Sequence, residues 1–288
     1  MKAKVYFSRE ITPQKVLELY EKLGIELPGR VAVKVHSGEV GNQNFLKPEF
    51  WKPMVEHVHG VVTECNTAYK GARYTTEDHM KTMKLHGWTD LFPVEILDAE
   101  KPDLVLEVPD GRKIHKNYVG KGLEKYDSLL VLSHFKGHPS GGFGGALKQL
   151  SIGVASSFGK GYIHGAGCPE KIWTSEQLDF LESMADAAAS VVRYFDGRAA
   201  FINVMKNMSV DCDCCSVAED PCMKDIGILS SLDPVALDQA CVDLVYAARE
   251  DPGRDHMVER IESRQGLHTL EAADGRGIGT REYELIEI

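Results

Sequence analysis

A chain of 288 residues with 43% hydrophobic and 26% charged residues has the composition of a globular protein, long enough to bury a sizeable core. Its formal net charge of −10 repels phosphate backbones and argues against general nucleic-acid binding. No apolar run reaches the roughly 18 residues of a membrane span, and the opening MKAKVYFSRE lacks the apolar core of a secretory signal. The expected compartment is therefore the cytoplasm, with no membrane partner. Disulfides are rare there, so clustered cysteines point toward metal binding or redox work.

In chain order, AKVYFS (3–8) reads as a strand. TPQKVLELYEKLGI (12–25) reads as a helix capped by Thr12, with Pro13 in the first turn. RVAVKVHS (30–37) is a strand, 47–60 a helix interrupted by Pro53, and VVTECN (61–66) a strand. The segment 75–87 is helical, with Thr75 or Thr76 as cap and Gly87 as stop. Residues 93–120 read as a β-rich excursion, with a tight turn at PDG (109–111). DSLLVLSHF (127–135) is an apolar strand, and a helix is expected over 143–156 behind a glycine cluster. TSEQLDFLESMADAAASVVRYF (174–195) is the clearest helix, with Thr174 and Gln177 forming a capping box. Strands at 199–207 and 226–231, a helix at 233–250 capped by Asp233, and a terminal strand EYELIEI complete the reading. Alternating strands and helices predict a layered α/β fold with a mostly parallel sheet and flanking helices. The expectation is one domain over 1–288, two-lobed at most, with the excursion at 93–120 as its appendage.

Ligands of parallel α/β sheets gather at the carboxyl ends of the strands. Strand 30–36 ends in VHSGEVGNQN, carrying His36 and Glu39. Strand 61–65 ends in ECNTAYKGAR, carrying Asn66, Thr67, Tyr69 and Arg73. Strand 127–133 ends in SHFKGHPSGGFGG, strand 199–206 in KNMSVDCDCC, and strand 226–230 in SSLDP. Polar and ligating residues thus collect on one expected rim.

In SHFKGHPSGGFGGALK (133–148), Gly141, Gly142, Gly144 and Gly145 precede a helix, an arrangement that lets an anionic ligand approach backbone N–H groups. His134 and His138 stand four apart with Lys136 between them, suited to a phosphate, a carboxylate or a metal. Neither nucleotide-binding glycine spacing is met. A flexible turn with ordinary histidines is the competing reading. DCDCCSVAEDPC (211–222) holds Cys212, Cys214, Cys215 and Cys222 in the spacing C-x-C-C-x6-C. That spacing matches neither a zinc pair nor a ferredoxin run. On an extended backbone Cys212 and Cys214 share a side and Cys215 faces away. A metal held by Cys212 and Cys214, completed by Cys222 or a rim histidine such as His36, stands against a thiol-rich loop with no ligand.

The blocks VAVKVHSGEVGN, ECNTAYKGARYTTEDHMKTMKLHGW, SHFKGHPSGGFGGALKQLSIGVASSFGK and DCDCCSVAEDPCMKDIGILSSLDPVALDQACVDL resemble the domain-of-unknown-function 362 family. Its members are often described as uncharacterised iron–sulfur-centre proteins. The resemblance spans roughly residues 1–250, with the blocks in the same order. Many members carry a ferredoxin-like insert after the block matching GKGYIHG. Here only Cys168-Pro169 echoes it, so no ferredoxin-type cluster motif is present and those clusters do not carry over. HFKGHPSGGFGGALK also resembles, distantly, the histidine- and glycine-rich segment of lactate-racemase-type enzymes. That likeness implies His134 or His138 as acid/base, with Lys136 beside them, and Lys148 or the helix N-terminus as anion holder.

The expected function is a metal- or iron–sulfur-associated protein with redox or isomerase chemistry on a small anionic substrate, the metal being zinc, iron or nickel. A non-enzymatic module that binds a small anion or docks a redox partner is the alternative.

Overall fold

The computed structural model describes residues 2–288. β1 (Ala3–Ser8) leads into α1 (Pro13–Glu21), where the Thr12 hydroxyl accepts the Lys15 amide and caps the helix. β2 (Val31–Lys34), α2 (Pro48–His57) and β3 (Val61–Glu64) make one crossover. α3 (Thr76–Leu85), the short α4 (Trp88–Leu91) and β4 (Val94–Ile96) make the next. β5 (Leu104–Glu107) and β6 (Lys116–Val119) pair as a separate antiparallel hairpin. β7 (Ser128–His134) is followed by a second small hairpin, β8 (Lys136–His138) with β9 (Gly142–Gly144). α5 (Ala146–Lys148) continues into a π-helical turn at Gln149–Gly153, and then α6 (Ser157–His164) and α7 (Gln177–Phe195) follow. β10 (Ala199–Met205), β11 (Gly227–Ser231), α8 (Pro234–Ala247), α9 (Arg254–Ser263), α10 (Leu267–Gly275) and β12 (Tyr283–Glu287) complete the chain.

The main sheet runs in the order β12-β1-β11-β10-β7-β2-β3-β4. β11 is antiparallel to both its neighbours, and every other pairing in the sheet is parallel. The expected mostly parallel α/β fold is therefore present. β7 and β10 are buried along their full lengths, as central strands covered on both faces must be. Their side chains alternate between two cores. Leu129 and Val131 of β7 and Phe201 and Met205 of β10 face the core shared with α7, α8 and α10. Leu130, Leu132, Ile202 and Val204 face the core shared with α1 and α2, around Leu19, Trp51 and Met54.

The structure departs from the sequence reading in three places. β11 runs backwards, so its end at SSLDP lies on the opposite edge of the sheet from the expected rim. Asp233 there accepts the Val235 and Ala236 amides as an ordinary cap of α8. The helix expected over 143–156 is broken into β9, one turn of α5 and the π-helical turn. The capping box expected at α7 is absent, because Gln177 instead donates to the carbonyls of Ser140 and Arg264. Among the described residues, no helix is long and apolar enough to cross a membrane.

Candidate functional site

The carboxyl ends of β2, β3, β7 and β10 open onto one cavity of about 400 Å3. Each wall comes from a segment that follows a strand. His36 follows β2, Cys65, Thr67, Tyr69 and Arg73 follow β3, and His138 and Lys148 follow β7. Cys214 and Cys215 follow β10. Gln149, Ile152 and Gly153 enter through the π-helical turn, a device that recurs at functional sites.

At one end lies a thiol–imidazole group. A ring nitrogen of His138 and the sulfurs of Cys212 and Cys214 all lie within 4.8 Å of one another. The backbone here is a turn and not the expected extended strand: the Cys215 amide donates to the Cys212 carbonyl at 2.9 Å, and this turn folds Cys214 back toward the Cys212 sulfur. Lys148 Nζ donates to Cys212 Sγ at 3.4 Å, and the Cys214 amide donates to the same sulfur at 3.5 Å. Burial opposes ionisation of Cys212. The Cys214 thiol hydrogen bond and the Lys148 and Lys136 charges outweigh it and hold Cys212 well below the usual thiol range. Cys214 is pushed well above that range by its hydrogen bond to Cys212. The pair thus shares one proton, with the thiolate at Cys212. Burial and the nearby thiolate act in opposite directions on Lys148, and the net effect holds its ammonium above the usual lysine range.

The donor set is chemically suited to a soft or borderline metal: two sulfurs and an imidazole, with the cavity on the open side. The two sulfurs fit such an ion as they stand. His138 carries a condition, because its Nδ1 accepts the Ser140 and Gly141 amides at 3.1 and 2.9 Å. A metal-bound histidine normally donates from its second nitrogen. His138 ligates a metal only if Nδ1 gives up these amides, and otherwise its other nitrogen donates to the Cys212 sulfur.

The rest of the cavity is cationic. Lys34, Arg73, Lys148 and Lys160 line it, against Glu64 as the lone carboxylate of the lining. Lys34 pairs with Glu64 at 2.6 Å, both fully buried, and Arg73 pairs with Glu39 at 3.1 Å and stands 3.8 Å from Glu64. Ser37 adds its amide and hydroxyl to Glu64. Burial opposes the Glu64 charge, but Lys34 and the surrounding cations hold its carboxyl well below the usual range. The histidines add no positive charge near neutral pH. Burial, then Arg73, lowers His36, burial, then Lys148, lowers His138, and burial takes His164 to about 3.

Several expected site residues take other roles. Both ring nitrogens of His134 face oxygens, Asp213 at 2.9 Å and the Lys206 carbonyl at 2.6 Å. Lys136 Nζ reaches the same Asp213 at 3.0 Å and the His134 carbonyl at 2.8 Å. His134 and Lys136, expected as catalytic residues, therefore pin the cysteine loop through Asp213 and do not line the cavity. The glycine-flanked helix start is also already occupied. The Ala146 and Leu147 amides donate to the buried Asp238 carboxylate at 2.8 and 2.9 Å, so an internal acid takes the place expected for a ligand anion. A side chain at Gly145 would collide with that carboxylate, and Gly142, at φ +80, packs backbone to backbone on Gly266. Gly141 gives its amide to His138, and Gly144 lies beside Lys136 and Lys148. Asn66 turns to Thr76 and His79, away from the cavity. Glu39 acts behind Arg73. Cys222 stands apart from the group, its thiol on the Met208 carbonyl. Cys215, expected to face away, lines the cavity but lies outside the thiol–imidazole group.

Lys34, Lys160, Gln149 and Trp173 line the cavity without having been singled out from sequence. Lys34 was hidden inside an apolar strand, where a buried lysine is itself the signal of a paired charge.

The family model for a domain of unknown function, DUF362, matches residues 31–243. The chain belongs to this family. The match covers the strands β2, β3, β7 and β10 and all the cavity residues named above. No curated protein matches the chain. Among solved structures, a protein from Thermotoga maritima aligns at 14% identity and a TM-score of 0.47, over 81% of this chain and 59% of that one. The lactate racemase apoprotein from Thermoanaerobacterium thermosaccharolyticum aligns at 12% identity and a TM-score of 0.47, over 83% of this chain and 56% of that one. This chain therefore spans well under two thirds of either structure.

Proposed function

We propose that this DUF362 protein holds a soft or borderline metal ion at Cys212, Cys214 and His138 and binds a small anion in the adjoining cavity. The observation that carries the reading is the meeting of these three ligating groups within 4.8 Å at a cavity lined by four cations and one carboxylate. Zinc, iron and nickel all accept this donor set, and such an ion supplies Lewis acidity or an electron path beside the ligand. Lys148 balances the charge of the sulfurs, and Lys160 and Arg73 attract the anion. Neutral His36 and His164 line the same space and are available to accept or pass a proton. The reaction class this favours is redox or isomerase chemistry on the bound anion.

A second reading is favoured by the two amides on His138 Nδ1. There His138 donates to the Cys212 thiolate, and the pair works without metal. Anaerobic titration with cobalt(II) separates the two. Thiolate-to-cobalt charge-transfer absorption that saturates near one equivalent, and is lost in Cys212→Ser/Cys214→Ser, supports the metal centre. Absence of that absorption, together with rapid alkylation of Cys212 below pH 7, supports the metal-free pair.

A further inference from the structure

One wall of the cavity is aromatic, and it begins beside the cysteine turn, where the Tyr69 hydroxyl donates to the Cys214 carbonyl at 3.3 Å. Tyr69 and Trp173 have ring centroids 6.4 Å apart, and Trp173 and His164 have theirs 6.0 Å apart. His164 in turn stacks on Phe180 at 4.4 Å with 14° between the planes. Tyr69, His164 and Trp173 all line the cavity, as do Ile152 and Ile172. Trp173 nevertheless remains 67% exposed, whereas Trp51 and Trp88 are buried at 2% and 0%. With only Tyr69 and His164 beside it, both tilted at 49°, most of this indole stays uncovered on the wall of the cavity.

The cationic side has a matching feature. Lys34 and Arg73 are matched by Glu64 and Glu39, and Lys148 Nζ donates to the Cys212 sulfur at 3.4 Å. Lys160 Nζ has only carbonyls, Ala155 at 2.6 Å and Cys65 at 3.4 Å, and no carboxylate within ion-pair distance among the described residues. One uncompensated cation and one uncovered aromatic wall thus share a cavity of about 400 Å3. That volume lies at the lower end of the roughly 300–1,000 Å3 typical of drug-sized ligand sites, and a two- or three-carbon acid leaves most of it empty.

We infer that the ligand of this cavity is an anion with a flat conjugated ring system, its charge against Lys160 and its ring along Tyr69, His164 and Trp173. This rests on the anion-binding part of the proposed function and names the ligand class. Aromatic stacking and the charge of Lys160 select for it together, and a saturated ring of the same size gains only the hydrophobic share.

Calorimetric titration with 2-naphthoate and its saturated counterpart, decahydro-2-naphthoate, tests the inference, with 2-naphthyl phosphate separating carboxylate from phosphate recognition. Metal content is measured on the same samples. At least tenfold tighter binding of one naphthyl anion than of the saturated acid is expected. Trp173→Ala, at an exposed site that leaves the fold intact, should remove that preference. Lys160→Met should weaken both anions about equally. Equal affinity for flat and saturated acids, or a preference that survives Trp173→Ala, overturns the ligand class even if metal is present. The expected preference in protein without metal supports the ligand class and overturns the metal centre.

Discussion

Cys212 depends on its neighbours for its charge. With Lys148 at 3.4 Å and the Cys214 thiol beside it, it is the thiolate of the pair. Replacing Lys148 by Met should raise the pH midpoint of Cys212 alkylation, followed by mass spectrometry of the labelled peptide. An unchanged midpoint would mean that Lys148 does not set the thiolate. Asp238 gives a pH prediction of opposite origin. Burial raises its carboxyl from 3.8 to about 6, although Leu147, Asn203 and Ala146 donate to it. An acid whose pKa is higher in the folded state takes up a proton on folding, so its contribution to stability is greatest at low pH. That contribution falls as pH rises through the window from about 4 to 6, by up to about 3 kcal/mol. Urea unfolding of wild type and Asp238→Asn at pH 4.5 and 7 should show this loss in wild type and a smaller one in the variant. The sequence pointed to Cys212 and Cys214 as a pair, but on an extended backbone where the structure has a turn, and it offered His36 or Cys222 as the completing ligand where the structure brings His138. It did not show that His134 and Lys136 are consumed by Asp213, because that depends on a contact between two loops distant in sequence.

At the level of elements, the cysteine segment is held by charge. Asp213 receives His134 from the end of β7 and Lys136 from β8, and the Asp213 carbonyl accepts the Glu39 amide. Asp213→Ala leaves two buried cationic or donor groups unpaired, so a loss of about 3–5 kcal/mol is expected. Hydrogen exchange should quicken across 211–215 first, and equal protection in the variant would show that the loop is held by other contacts. The helices and central strands were legible because long apolar periodicity dominates them. The direction of β11 was not, since a strand's polarity in a sheet leaves no mark on its own residues. Neither α6, α9 nor α10 was recognised. The first is rich in glycine, and the last two follow a stretch of charged residues in which amphipathic spacing is weak.

The whole molecule combines an acidic exterior, with formal charge −10, and a cationic cavity. The DUF362 match at 31–243 leaves β1 and β12 outside it, yet these two strands finish the sheet beside β11. β12 pairs with β1 over five residues and covers an edge that would otherwise offer free N–H and C=O groups. Deleting Tyr283–Glu287 should therefore produce higher oligomers in size-exclusion chromatography, and a profile identical to wild type would show that the β1 edge is harmless. Elemental analysis of protein purified anaerobically without a histidine tag bears on the cavity's chemistry more directly than any of these measurements. About one equivalent of zinc, iron or nickel per chain, lost in Cys212→Ser/Cys214→Ser, is the expected result. Metal well below one equivalent in the wild type, unchanged by the double substitution, would contradict a metal centre at Cys212, Cys214 and His138.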